Sequence, residues 1–299
     1  MGAMAVRDTS PIRPASGVAE PLLAAERRGS VSIPALIRAH QLATYFVLAY
    51  AVSWGLLYAC LVALRTDAAS AILIQTLGPT VAARIVLTAV GGRPKYRQMR
   101  LRARQWRVPL RWYLVALVGI PAACLAAVVA LPGGLDALEH AAPLSMLGTY
   151  AFFMVAGFFS GPLFEEPGWR GFALPRLQTS MGPLAGTLVL GVLWGAWHLP
   201  QFLVPAWAAQ NGGSDPGTIV LFLVLVVTLA PLLTWVYNRT GGSLFLAMLT
   251  HAGINASLSM IPAFRSGPMV VGVLAFGTIA ITLIVTTRGR LGYNPAVEL

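Results

Sequence analysis

The sequence predicts an all-α polytopic membrane protein with about eight transmembrane helices. Three observations predict it. Of its 299 residues, 57% are hydrophobic. Only 10% are charged, against roughly 25% in soluble domains. The apolar stretches reach about 18 residues or more without a charge, enough to cross the hydrocarbon core as a helix. A transmembrane barrel would instead show short segments of about ten residues with alternating polarity.

Taken in order, residues 1–32 mix Pro, Ser, Gly, Ala and Arg and read as a disordered cytoplasmic tail. The tail precedes the first apolar stretch by too much to resemble an ordinary signal peptide. Apolar runs then place helices at 42–64, 71–90, 112–131, 144–166, 183–203, 218–237, 244–263 and 269–287. Together they make one transmembrane unit over 33–290, and 291–299 is a short C-terminal tail.

The net charge of +11 is concentrated rather than spread. Arg93, Lys95, Arg97, Arg100, Arg102, Arg104, Arg107 and Arg111 crowd into the 91–111 loop. Beside a membrane segment such a cluster sets topology and contacts anionic lipid; nothing in it suggests nucleic acid. Arg7, Arg13, Arg27, Arg28 and Arg38 of the tail fall on the same side as that loop, with Arg239, Arg288 and Arg290. The opposite loops carry Asp67, Asp136, Glu139 and Asp215 against Arg65 and Arg265. Both termini are therefore expected in the cytoplasm of a cell whose plasma membrane the chain spans. An Ala-, Arg- and Gly-rich chain with Lys95 as its single lysine points to a high-GC bacterium. Cys60 and Cys124 lie within apolar runs, so no disulfide framework is implied.

Against this apolar background the stretch 163–172, LFEEPGWRGF, stands out. Apolar sequence continues past it to Gly182–Pro183, a strong turn signal. A helix running to about 178 and reversing there puts Glu165 and His198 at nearly equal depth, at ~1.5 Å per residue. Gly157, Gly161 and Glu165 are spaced by four, and Gly191 and Gly195 lead to His198. Small-residue stripes let membrane helices approach closely, and these two are expected to face each other. Ala247, His251, Asn255 and Ser259 share one face of the seventh helix. Ionisable groups at such depth are expensive and suggest a functional site, here among the fourth, fifth and seventh helices. His40 and His140 sit at span edges and read as interfacial.

Peptide hydrolysis needs an activated water, a base and donors for the oxyanion. Glu165, His198 and His251 supply a carboxylate and two imidazoles, and Asn255 supplies an amide donor. Glu166 and Arg170, at i and i+4 with the acid first, read as a buried pair orienting Glu165. Pro162 and Pro167 flank the pair and can kink its helix. Glu165, His198 and His251 would also be the ligands of zinc or another divalent metal; the residues alone leave metal-assisted and metal-free hydrolysis both open. A proton-coupled transporter is a competing reading, since buried Glu and His serve proton relays, but no internal repeat is evident. A non-catalytic membrane scaffold is another.

EEPGWRG resembles the EExxxR motif of the CAAX protease and bacteriocin-processing (CPBP, or Abi) family. WGAWHLP resembles its aromatic-xxx-His motif, with Trp194 where phenylalanine is frequent, and HAGIN resembles its HxxxN motif. LGPTVAARI and TGGSLFLAMLTHAGIN are similar to the flanking sequence, so the likeness covers roughly 70–260. The resemblance implies an intramembrane endopeptidase domain over 33–290, related to the Ras-converting type, acting on a membrane-associated protein or peptide. It implies that Glu165 and His198 activate water while His251 and Asn255 stabilise the oxyanion. The family includes members described as metalloproteases and others as glutamate-dependent; with no fourth strong ligand apparent, the metal-free type is favoured here.

Overall fold

A computed structural model describes Gly2 and residues 33–139, 143–260 and 268–295. Among the described residues the regular structure is entirely helical. In chain order we number α1 (Ile33–Ala39), α2 (Gln41–Ala63), α3 (Ala68–Gln75), α4 (Leu77–Ala103), α5 (Leu110–Val129) and α6 (Gly134–Glu139). There follow α7 (Pro143–Ser160), α8 (Pro162–Met181), α9 (Pro183–Trp197), α10 (Pro205–Gln210), α11 (Pro216–Arg239), α12 (Leu244–Met260) and α13 (Pro268–Thr286).

Among the described residues five stretches are long and apolar enough to span a bilayer: Gln41–Ala63, Ala68–Gly92, Leu110–Val129, Pro216–Arg239 and Met269–Thr286. A sixth is a broken pair, Leu144–Ser160 with Pro162–Met181, bent by 47°. The chain is a multi-pass membrane protein. The expected eight spans are corrected to five or six on this measure, because α9 and α12 have only 15 and 17 residues. Pro200 explains the first shortfall: α9 ends before His198, and Leu199–Leu203 tightens into a 3-10 turn. For the second, the expected extension to 263 lies partly outside the described residues.

Local chemistry fixes the helix ends. The Asp67 carboxylate caps α3, accepting the Ser70 amide at 2.9 Å and the Ser70 hydroxyl at 2.6 Å. Asp215 caps α11 through the amides of Gly217 and Thr218. Gly182 takes a φ of 84°, a left-handed conformation that turns α8 back into α9 without a Cβ clash. Gly92, with φ 63° and ψ −158°, is not helical and makes a kink between the two helical stretches of α4. The span ends there, close to the expected 90, but the 91–111 segment beyond the kink is helical as far as Ala103 rather than a loop, with Lys95, Arg97 and Arg100 exposed along it.

The core gathers around α8, α9, α11 and α12, with α2 and α4 packed on one flank and α5, α7 and α13 on the others. Gly168 makes the closest approach: a Cβ there would stand 2.5 Å from the Pro79 backbone, so α8 and α4 touch main chain to main chain. Cys60 and Cys124 are buried, free thiols. Among the edge histidines, His40 is exposed and His140 lies outside the described residues.

Candidate functional site

The fourth expected helix does not run straight into the EEPGWR stretch. It breaks at Gly161, whose φ of −165° and ψ of −65° are not helical, and α8 restarts with Pro162 in its first turn. Pro there loses no hydrogen bond and is pre-set for a helix start. Pro167 lies inside α8 and lacks the amide that would close its turn; Trp169–Ala173 then widen to π geometry. Glu165, Glu166 and Arg170 nevertheless stay on a helical scaffold that is buried from Glu165 to Arg170.

Glu166 Oε1 accepts from Arg170 Nη1 at 2.8 Å, so the i,i+4 pair forms despite the proline. The same oxygen accepts from His251 Nδ1, also at 2.8 Å. Glu166 thus ties α8 to α12 and fixes the imidazole of His251. This differs from the sequence expectation, in which the pair orients Glu165. Glu165 is held from α9 instead: Trp194 Nε1 donates to its Oε2 at 3.0 Å. The Arg170 guanidinium lies 4.4 Å from the centroid of that same indole, a cation–π contact within the buried layer. One tryptophan therefore positions the first glutamate and covers the arginine.

His198 follows α9 directly, and its Nδ1 lies 2.8 Å from the carbonyl oxygen of Trp194. A carbonyl only accepts, so that bond puts the proton on Nδ1 and leaves Nε2 as the basic nitrogen. Trp197, Trp207 and Phe222 surround the ring. Across the site, the edge of His251 meets Trp194 at 5.1 Å between centroids.

Glu165, His198, His251 and Asn255 all line one cavity of about 920 Å³. Ser259 lines it as well, continuing the α12 face read from the sequence. Its remaining wall is largely apolar, with Phe152 and Phe153 from α7 and Leu225 and Leu229 from α11. The glycine stripes serve this arrangement differently from expectation. Gly157 faces Ala252 and Asn255 of α12, whereas Gly191 and Gly195 face Ala230, Val227 and Leu223 of α11. The two stripes do not meet each other, because α9 packs its glycines outward against α11 and turns Trp194 toward Glu165.

As for a metal, no group of three or more His, Cys, Asp and Glu side chains is placed to hold one among the described residues. His251 has its Nδ1 committed to Glu166, and His198 its Nδ1 to a carbonyl. Those bonds leave both Nε2 atoms available, as they are in metal-bound histidines, but Glu165, His198 and His251 do not form a group that could hold a metal as arranged, and no step below is routed through one.

Residues 147–257 match the family model described as type II CAAX prenyl endopeptidase Rce1-like. Over this segment, rather more than a third of its length, the chain is similar to that family. CAAX prenyl protease 2 of Methanococcus maripaludis is 25% identical to it over 122 residues. That alignment covers 40% of this chain and 45% of the relative, so the chain spans less than half of that protein's length. The matched segment holds Glu165, Glu166, Arg170, Trp194, His198, His251 and Asn255 together.

Outside that segment, one wall of the cavity comes from α3, and it carries a feature that sequence reasoning missed. Gln201, one turn past His198, lines the cavity and donates to Gln75 Oε1 at 3.3 Å. Both glutamines are buried, at 2% and 0% exposure. Their signal was present as uncharged polar residues inside apolar runs, which are costly to bury unpaired. The role of Trp194 left no such signal, since a tryptophan in an apolar helix reads as core.

Proposed function

We propose that the chain is an intramembrane endopeptidase that hydrolyses a peptide bond of a membrane-associated protein or peptide. The observation that carries this reading is the convergence of Glu165, His198, His251 and Asn255 on one cavity, with Glu166 holding His251. In the mechanism, water sits between Glu165 Oε1 and His198 Nε2, the two acceptors left uncommitted by Trp194. Glu165 takes a proton as the water oxygen bonds to the substrate carbonyl carbon. The oxyanion accepts from the Asn255 amide and from His251, whose Nε2–H is available when the ring carries both protons. The C–N bond then breaks, and the proton held by Glu165 goes to the leaving amine. The substrate's main chain lies in the cavity, and the apolar wall takes its flanking side chains.

The proposed orientation puts both termini and the arginine-rich end of α4 in the cytoplasm, in the plasma membrane of a bacterium. Leu101 and Trp106, exposed among the exposed bases Arg100, Arg104 and Arg107, suit an interface with anionic lipid.

Two experiments test this chemistry. A Cβ at Gly161 would stand 2.9 Å from Glu165 Oε1. Gly161→Ala is expected to lower kcat/KM by roughly 10- to 100-fold through a displaced carboxylate, with little change in Tm. Unchanged kinetics would mean that Oε1 is not the working oxygen. Exhaustive chelation is expected to leave activity intact. About one zinc per chain, lost with activity and restored with it, would instead establish a metallopeptidase.

A further inference from the structure

Peptide hydrolysis in a largely apolar cavity poses a second problem besides activating water. The peptide groups on either side of the scissile bond must leave water, and an unpaired N–H or C=O is costly there. Several uncharged polar side chains of the wall are already bonded within their own helices. Thr76 donates to Leu73 O at 2.6 Å, Ser160 to Gly157 O at 3.2 Å and Asn211 to Trp207 O at 2.9 Å. Gln201 is different.

Its place is fixed by the 3-10 turn that follows α9. Gln201 N donates to His198 O at 2.9 Å, and Gln201 O accepts from Val204 N at 2.9 Å, so the main chain is pinned on both sides. Side chains three apart in such a turn eclipse, which brings the Gln201 carboxamide into line with the His198 ring. Both residues line the cavity, whereas Leu199 and Leu203 of the same turn are exposed. From the other side α3 holds the carboxamide: Gln201 Nε2 donates to Gln75 Oε1 at 3.3 Å.

Packing alone does not account for this pair. The bond between the two amides uses one donor and one acceptor. Gln75 Nε2 is buried without a partner, and among the described residues Gln201 Oε1 has none either. Two apolar side chains of the same shape would join α3 to the turn without stranding those atoms. What the amides add is a rigidly held acceptor beside His198, suited to a peptide N–H.

Building on the endopeptidase reading, we infer that Gln201 binds the substrate's main chain next to the scissile bond, accepting a peptide N–H at Oε1. Gln75 is the positioning residue that holds it. Glu165 and His198 act on the water, and His251 and Asn255 on the oxyanion; Gln201 sets the register of the substrate between them. The contact is the same before and during bond cleavage, so it governs KM rather than kcat.

The test uses the purified full-length chain and a quenched fluorescent peptide with an apolar membrane segment, its cleavage site mapped by mass spectrometry. Gln201→Met, close in shape but without polar atoms, is expected to raise KM about 10-fold, with kcat within about threefold and its pH profile unchanged. Replacing single peptide groups near the cleaved bond by esters removes one N–H at a time. At one position the ester should cost the parent chain about 10-fold in kcat/KM and cost Gln201→Met less than about twofold, because the bond is already gone. Equal ester effects in the two chains at every position overturn the inference, as does a parental KM. So does a fall in kcat that tracks a fall in Tm, the signature of a turn that merely supports His198. Should the single variant lose stability through the stranded Gln75, Gln75→Met/Gln201→Met removes both amides. Its Tm should recover while KM stays raised; recovery of both would leave the pair a packing role and overturn the inference. Failure of the parent chain to cleave any such peptide rejects the endopeptidase reading and this inference with it. Glu165-dependent cleavage with an unchanged KM in Gln201→Met rejects this inference alone.

Discussion

Glu165→Gln is expected to fold like the parent chain and to lose at least 10³-fold in kcat. The amide is nearly isosteric with the carboxylate, and its carbonyl oxygen can still accept from Trp194 Nε1, now bonded to Oε2 at 3.0 Å. What it cannot do is take a proton from water at neutral pH. General-base contributions are typically about 10²–10⁴-fold. A buried base with no bulk water to replace it belongs at the upper end of that range, and Glu165 is only 5% exposed. The measurement is turnover of a membrane peptide reporter by purified protein, with thermal unfolding in the same detergent as the control for folding. Parental kcat in a well-folded Glu165→Gln variant would remove Glu165 from the chemistry. It would also favour a carrier or scaffold reading, in which the carboxylate matters for binding or packing.

How much of this was legible beforehand depends on which force fixes each feature. Span positions are set by transfer of apolar side chains into hydrocarbon, a property of composition over a window, so Gln41–Ala63 and Leu110–Val129 fall within two residues of expectation. Breaks are set by single backbone events that a window averages away. Gly161 ends α7, and Pro200 shortens α9; both residues are visible in the sequence, but neither dictates a break without its tertiary partners. The glycine stripes fared similarly. Spacing by four reports that some helix approaches closely, not which one, and α9 turned its stripe to α11. In the site, the ionisable residues were legible because charge inside a membrane is expensive. Their wiring was not. That Glu166 serves His251 as well as Arg170 depends on the register between α8 and α12, which no local pattern encodes.

That wiring makes Glu166→Gln the more damaging substitution for the fold. Arg170 and Glu166 are both 0% exposed, and one carboxylate oxygen accepts from both Arg170 and His251. Neutralising Glu166 leaves a guanidinium buried beside an indole without its hydrogen-bonded counter-charge, and it loosens the α8–α12 tie at the same stroke. Removing one partner of a buried ion pair costs about 3–5 kcal/mol, a large part of the stability of any single chain. Low yield and a Tm well below that of Glu165→Gln are therefore expected. The companion Glu166→Gln/Arg170→Met separates the two duties of the carboxylate. Removing the stranded charge should restore much of the lost Tm, because a methionine packs where the guanidinium was. Activity should stay low, because His251 still lacks the acceptor that orients it for the oxyanion. A single Glu166→Gln variant with parental Tm would show that Arg170 finds its charge balance elsewhere. A double variant with parental activity would show that His251 does not depend on Glu166 for its place in the reaction.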